Sequence, residues 1–148
     1  PGVVRVRPDV RFAIAGSVSQ AVPIDPALAP NITALGYVPN LSEIYGKSKI
    51  VICPLLSGAG TKVKLQEAMA HAIPIVTTRT GASGMSLVDG VNAFITDDAS
   101  LYADQILRLL NEPELAQLLS QQIDATFQHH YSNPAVYAAL DHLFQIAS

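Results

Sequence analysis

The chain has 148 residues, 49% of them hydrophobic and only 14% charged, which predicts one domain with a real core and excludes intrinsic disorder. A net charge of −3 spreads no basic field over the surface and argues against a nucleic-acid partner. The apolar runs fall short of the ~18–20 residues a membrane helix needs, and the start at Pro1-Gly2-Val3-Val4-Arg5 is not that of a signal peptide.

In chain order, residues 1–9 read as the tail of a helix that ends at Pro8-Asp9. The chain begins without Met, in what looks like the middle of that helix, so a fragment of a longer protein is expected. Arg11 to Ala15, followed by Gly16, predicts a short buried strand. Pro23, Pro26 and Pro30 make residues 17–30 a loop with room for one helical turn. Ile32 to Leu35, closed by Gly36-Tyr37-Val38, predicts a second strand. A short helix over 41–47 comes next, opened by Asn40 as cap with Glu43 three residues on.

Ile50-Val51-Ile52-Cys53 reads as a buried strand that Pro54 stops. Cys53 is the lone cysteine, so no disulfide forms within the chain, as suits a reducing compartment. Its apolar run predicts a buried, unreactive thiol. A small-residue turn, Ser57-Gly58-Ala59-Gly60-Thr61, leads into a helix over 62–72 with Leu65, Ala68, Met69 and Ala72 on one face. Strand, glycine turn and helix start together aim backbone N–H groups and a positive helix end at an anion, usually a phosphate. Lys62, Lys64 and Glu67 sit just inside that helix. Lys64, Glu67 and His71 share one stripe beside the apolar face, which also suits a plain solvated helix edge.

Pro74 to Thr78 predicts a fourth strand, with a small-residue turn at Gly81-Ala82-Ser83-Gly84. Ala93 to Ile95 predicts a last one. The remainder is helical, in stripes Ala103, Ile106, Leu107, Leu110, then Leu115, Leu118, Leu119, Ile123, Phe127, then Val136, Tyr137, Leu140, Phe144. Asn111-Glu112-Pro113 and Ser132-Asn133-Pro134 separate them, the second proline opening a helix. Short apolar strands alternating with helices predict parallel βαβ units in a three-layer α/β/α sandwich of Rossmann-like type, with a helical C-terminal end. In such sheets ligands bind outside the carboxyl ends of the strands. Gly16, Gly36, Gly58 with Gly60, and Gly81 with Gly84 all lie there.

The other candidates point to structure. His71, His129, His130 and His142 form no metal set, and adjacent His129 and His130 are expected to diverge on a helix. Asp97-Asp98 precede a helix and fit a cap better than a metal site. Ser57 and Ser83 have no matching His/Asp pair, so hydrolase chemistry is discounted.

Residues Gly58-x-Gly60-Thr61-Lys62-x-Lys64-x-x-Glu67-Ala68-Met69-Ala70 and Pro74-Ile75-Val76-Thr77-Thr78 together resemble the C-terminal domain of GT-B glycosyltransferases of family 4, the group 1 glycosyltransferases. Phe12 to Gly16, Leu35-Gly36-Tyr37-Val38, Leu41 with Ile44-Tyr45, Ile50 to Pro54, Gly81, and Asp89-Gly90-x-Asn92-Ala93-Phe94 agree in the same order. The likeness spans roughly residues 10–128.

That resemblance implies the donor half of a retaining glycosyltransferase, binding a nucleotide diphospho-sugar with no metal or other cofactor. It implies Glu67 as the ligand of the ribose hydroxyls and Gly60, Thr61 and Lys62 as phosphate contacts, with Lys64 adding charge. Gly58, Ala59, Gly60 and Thr61 would offer amides to the sugar, Tyr37 and Val38 would pack on the base, and Gly16 would line the site. The first glutamate of the family's Glu-x7-Glu motif falls on Ala59, so a usual sugar contact is missing. Ala72 stands where glycine is frequent. The family's diphosphate-clamping Arg and Lys belong to an earlier segment, and its catalytic centre and acceptor site to an N-terminal domain, so no catalytic residue is assigned here.

The implied partners are the donor, and a glycan, lipid or other acceptor held by the missing domain. A homodimer through the Tyr137/Leu140/Phe144 face is a further expectation. The implied location is the cytoplasm, with the inner membrane face as a variant. Two other classes fit the same residues. One is a non-catalytic α/β interaction domain, the other a GT-B-fold nucleotide-sugar epimerase.

Overall fold

The computed structural model describes residues 1–58 and 62–146, with side chains there except those of 18 and 142–146. Two compact units succeed one another along the chain, Pro1–Lys47 and the stretch from Ser48 onward.

In the first unit, helix α1 (Gly2–Val6) leads into strand β1 (Phe12–Ala15), which pairs in parallel with β2 (Ile32–Gly36). The link from α1 to β1 is held by side chains. Buried Asn31 donates its amide to the carbonyls of Pro8 (2.9 Å) and Val10 (2.8 Å). Arg7 forks onto Asp9 at 2.9 and 2.8 Å, and this holds the Asp9 carboxyl down at about 2. The pair is exposed, so it contributes little stability. The proline-rich loop forms two short 3-10 turns, Ser17–Gln20 and Ala29–Asn31. Helix α2 (Ser42–Lys47) starts where Asn40 Oδ1 accepts from the Ser42 amide at 3.0 Å, the cap its sequence predicts.

The second unit carries a parallel sheet in the order β3 (Val51–Cys53), β4 (Ile75–Thr77), β5 (Phe94–Ile95). Ile75, Val76 and Thr77 are fully buried, as the central strand of a parallel sheet requires. Helix α3 (Val63–Ala70) connects β3 to β4 and packs against α6 (Pro113–His130). Leu65, Ala68 and Met69 are buried on the first, Leu119 and Ile123 on the second. Each large side chain so buried contributes ~1.5–3 kcal/mol.

Helix α3 ends in a Schellman motif. The Ile73 amide donates to Ala68 O at 3.1 Å and the Ala72 amide to Met69 O at 2.9 Å. The left-handed residue such an ending needs is Ala72, with φ +53°, where glycine is the usual choice. Ser120 Oγ, on α6, donates to Ala72 O at 2.6 Å and fastens the turn.

Helix α5 (Ala99–Asn111) is capped by Asp98, whose Oδ1 accepts from the Leu101 amide at 2.8 Å. Glu112 is both the C-cap of α5 and the N-cap of α6, with Pro113 opening the second helix. Nothing else separates the two. Helix α7 (Asn133–Ile146) comes last, and its Val136, Tyr137 and Leu140 are exposed. Phe144 lies outside the described side chains. Among the described residues no helix is long and apolar enough to cross a membrane.

The sheets are parallel, α-helices connect the strands from β2 onward and the C-terminal end is helical, the α/β class expected. Details differ. A short helix, α4 (Arg79–Ala82), runs into the Gly81 to Gly84 turn, because Thr78 supplies a cap, its hydroxyl accepting from the Gly81 amide at 3.0 Å. Strand β3 lies at the edge of its sheet, and Ile52 is 37% exposed rather than buried. On α5 the buried positions are Gln105, Ile106 and Leu109, and on α6 Leu118 is exposed. His129 and His130 meet edge to face with ring centroids 4.6 Å apart, because the last turn of a helix leaves both rings room to swing together.

Candidate functional site

The carboxyl ends of β3 and β4 are drawn together by side chains. The Tyr102 hydroxyl, from α5, lies between the two strands. It accepts from the Cys53 amide at 3.1 Å and donates to Val76 O at 2.7 Å. Burial pushes its pKa above the ordinary tyrosine range, so it stays a neutral donor and acceptor at working pH. Thr77 Oγ1 donates to Cys53 O at 2.9 Å and Thr78 Oγ1 donates to Leu55 O. Gly81 sits so close that a Cβ there would collide with Thr77 Oγ1 and lie 3.1 Å from Cys53 O. Only a residue without a side chain lets α4 approach this end of the sheet.

From there the chain turns at Pro54. The Leu55 amide donates to Cys53 O at 3.0 Å, closing a three-residue γ-turn that the proline's fixed φ favours. Leu56, Ser57 and Gly58 are exposed. Gly58 has φ +134°, a conformation side chains strongly disfavour. Ala59, Gly60 and Thr61, expected to touch sugar and phosphate, lie outside the described residues.

The chain re-enters at Lys62, the N-cap of α3. Lys62 provides no side-chain cap, and its ammonium donates to Gly58 O at 3.3 Å. Lysine is a poor cap because it has no acceptor. The first turn of α3 points its N–H groups and the positive end of the helix dipole back toward this loop. Lys64 is exposed on that turn and Glu67 half-buried one turn further. His71, the third member of the stripe, is the exposed C-cap residue beyond the helix. The structure thus places Gly58, Lys62, Lys64 and Glu67 along one loop and helix.

Cys53 is half-buried at the foot of this loop. Burial pushes its thiol pKa up, against smaller opposing effects of a hydrogen bond with Thr77 and the charge of Lys62. It is a protonated thiol of low reactivity. The depression lined by Glu112, Pro113, Glu114 and Leu115 contains none of the predicted residues and lies at the α5–α6 junction.

Gly16, Tyr37 and Val38 belong to the first unit. Gly16, with φ +115°, donates its amide to Gly36 O at 2.7 Å, joining the carboxyl ends of β1 and β2. Ser19 Oγ accepts from the Gly36 amide at 2.9 Å. Tyr37 comes directly after and is 79% exposed. Val38 is half-buried.

The sequence reading missed Thr77, Thr78 and Tyr102. The two threonines carried a signal, since a hydroxyl residue between a buried strand and a glycine turn often caps the next helix. Tyr102 carried none, because its partners lie 49 and 26 positions away. Asp97 pairs with α4. Its Oδ1 accepts from the Arg79 amide at 3.0 Å and its other oxygen lies 3.6 Å from the Arg79 guanidinium. Among the described residues no cluster of His, Cys, Asp and Glu could hold a metal ion.

Likeness to known proteins bears on this arrangement. A protein in the cps region of Klebsiella pneumoniae, described as uncharacterized and of 44.6 kDa, is 26% identical to this chain. The match covers 95% of this chain and 38% of the relative, so the chain spans well under half of that relative's length. The structure of a mutant of S. aureus TarM bound to fondaparinux, alpha-GlcNAc-glycerol and UDP superposes with a TM-score of 0.79 at 25% identity, over 97% of this chain and 30% of that one. The C-terminal domain of LpcC, a glycosyl transferase group 1 family protein from Francisella tularensis, superposes with a TM-score of 0.71 at 22% identity, covering 88% of this chain and 74% of that domain. The family described as Glycosyl transferases group 1 matches residues 1–112. That match takes in both sheets, the loop after Pro54 and the whole of α3, and the chain belongs to the group 1 glycosyl transferases.

Proposed function

We propose that this chain is the donor-holding part of a glycosyltransferase, and that the second unit binds the diphosphate and ribose of a nucleotide diphospho-sugar. The observation that carries this is the start of α3. A helix of a group 1 glycosyl transferase opens there directly after a glycine loop, with Lys62 at its N-cap and Lys64 on its first turn.

The amides of Gly58, Ala59, Gly60 and Thr61 face the sugar and phosphates in this reading, with Gly60, Thr61 and Lys62 as the phosphate contacts. A helix terminus alone offers ~0.3–1 kcal/mol to an anion, so Lys62 and Lys64 supply further positive charge. Together they balance the charge that builds on the diphosphate as the sugar leaves, without a metal. Glu67, one turn up the helix, accepts hydrogen bonds from the ribose hydroxyls. The crystallised TarM complex holds UDP and a GlcNAc glycoside, which supports a uridine or related nucleotide and a hexose here. Transfer with retention to a glycan acceptor, in the cytoplasm, completes the proposal. A second copy of the chain against the exposed residues of α7 is its proposed protein partner.

Calorimetric titration of the full-length protein with UDP and with GDP tests it. One of the two binds, and Glu67→Ala weakens that binding about tenfold, the equivalent of one or two lost hydrogen bonds, with Tm unchanged within ~2 °C. A full-length protein that binds neither nucleotide overturns the reading.

A further inference from the structure

We propose that Thr78 is a positioning residue for the donor site, tethering the segment Pro54–Gly58 that leads into it. The inference rests on the donor reading above, but its geometry stands on its own. After the γ-turn at Pro54, Leu55 O is the acceptor of the Thr78 hydroxyl. The next three residues, Leu56 (87% exposed), Ser57 and Gly58, lie out in solvent. Gly58 O then receives the Lys62 ammonium. The segment is thus fastened at Leu55 by Thr78 and at Gly58 by a residue of the site itself.

The same Thr78 oxygen accepts from the Gly81 amide at 3.0 Å and so caps α4. One hydroxyl both donates to the segment and accepts from the helix, which neither valine nor alanine can do. Its neighbour Thr77 holds Cys53 O at 2.9 Å, so two successive threonines receive two carbonyls of the departing chain. Burial of Thr77 and Thr78 shields these bonds from water, where they hold position most firmly. A diphosphate bound through backbone amides depends on where the backbone lies, and a shift of a fraction of an ångström spoils several contacts at once.

The test uses the full-length protein with Thr78→Val, Thr78→Ser and Thr126→Val. Thr126 is a matched control, a threonine on α6 whose hydroxyl donates to Gln122 O and accepts from Asn92 Nδ2. Two readouts are taken: UDP and GDP affinity by calorimetry, and amide hydrogen exchange over residues 54–58 without nucleotide. Thr78→Val weakens nucleotide binding about tenfold, an effect of the size of one displaced hydrogen-bonding group, and speeds exchange in the segment. Thr78→Ser restores both. Thr126→Val lowers Tm but moves neither. Wild-type affinity in Thr78→Val, or unchanged exchange, overturns the proposal, as does a Thr78→Ser that behaves like Thr78→Val. If the wild type binds no nucleotide, the donor reading falls, and exchange alone decides whether Thr78 is the tether. If Thr78→Val does not fold, Thr78→Ala, which removes the same hydroxyl, takes its place with the same expected outcomes.

Discussion

Replacing Tyr102 with phenylalanine removes one oxygen and two hydrogen bonds. The ring can keep its place, so the change isolates the hydroxyl that joins Cys53 N to Val76 O. Each bond contributes ~0.5–1.5 kcal/mol net, so the pair is worth about 1–3 kcal/mol, the upper end holding where the Cys53 amide finds no new partner. In a chain of 148 residues, ~2 kcal/mol corresponds to roughly 4–8 °C in Tm. Thermal and urea unfolding of the two proteins measure this, with the urea slope expected to stay constant. A second signature is alkaline. Burial raises the Tyr102 pKa in the folded state, so the unfolded chain releases this proton first as pH rises. Stability from this group is complete below pH ~10 and is lost as pH climbs through the folded value. Tyr102→Phe removes that component of the alkaline slope. A Tm within 1 °C of wild type together with an unchanged alkaline slope refutes the reasoning.

Ala72→Gly relieves the left-handed backbone at φ +53°. The relief of ~1–2 kcal/mol exceeds the ~0.4–1 kcal/mol of extra chain entropy glycine brings to the unfolded state, so the urea midpoint rises modestly. Gln105→Met also raises it, by about 1 kcal/mol of stability, because Gln105 Oε1 is buried with no hydrogen-bond partner among the described residues. Cys53, its thiol pKa raised by burial, reacts with a disulfide reagent at pH 7 more slowly than a free cysteine, and stopped-flow labelling before and after unfolding measures the difference.

The order of elements was legible because each carries a local signal. Asn40 and Asp98 announce their helices, Pro54 and Pro113 end the elements before them, and the Leu65/Ala68/Met69 stripe names the buried face of α3. What sequence could not carry was long-range. Ile52 reads like Val76, yet one lies on an edge strand and the other in the centre, and strand order decides that. Gln105 is buried because of where α5 meets its neighbours, against its own polarity. The loop between β4 and β5 looked like a plain turn because a four-residue helix is too short for periodicity, and only the Thr78 cap makes it one. Of the candidate site, loop and helix spacing put Gly58, Lys62, Lys64 and Glu67 along one segment, while their proposed roles come from the resemblance to group 1 glycosyltransferases. The buttress of Thr77, Thr78, Gly81 and Tyr102 was not, since it is assembled from three separate elements.

The single residue shared by α5 and α6 constrains how this protein can vary. With Glu112 ending one helix and starting the next, there is no slack to absorb a change in length. One inserted residue turns every later position of α6 by about 100° and advances it ~1.5 Å. Leu119 and Ile123 would swing out of the core while Ser120 left the carbonyl of Ala72. The proline-rich stretch 21–28, by contrast, lies outside the regular strands and α-helices and can lengthen at little cost. Length variants among descendants of this chain should therefore gather in that stretch and avoid the α5–α6 corner, where point substitution is the only tolerated form of change.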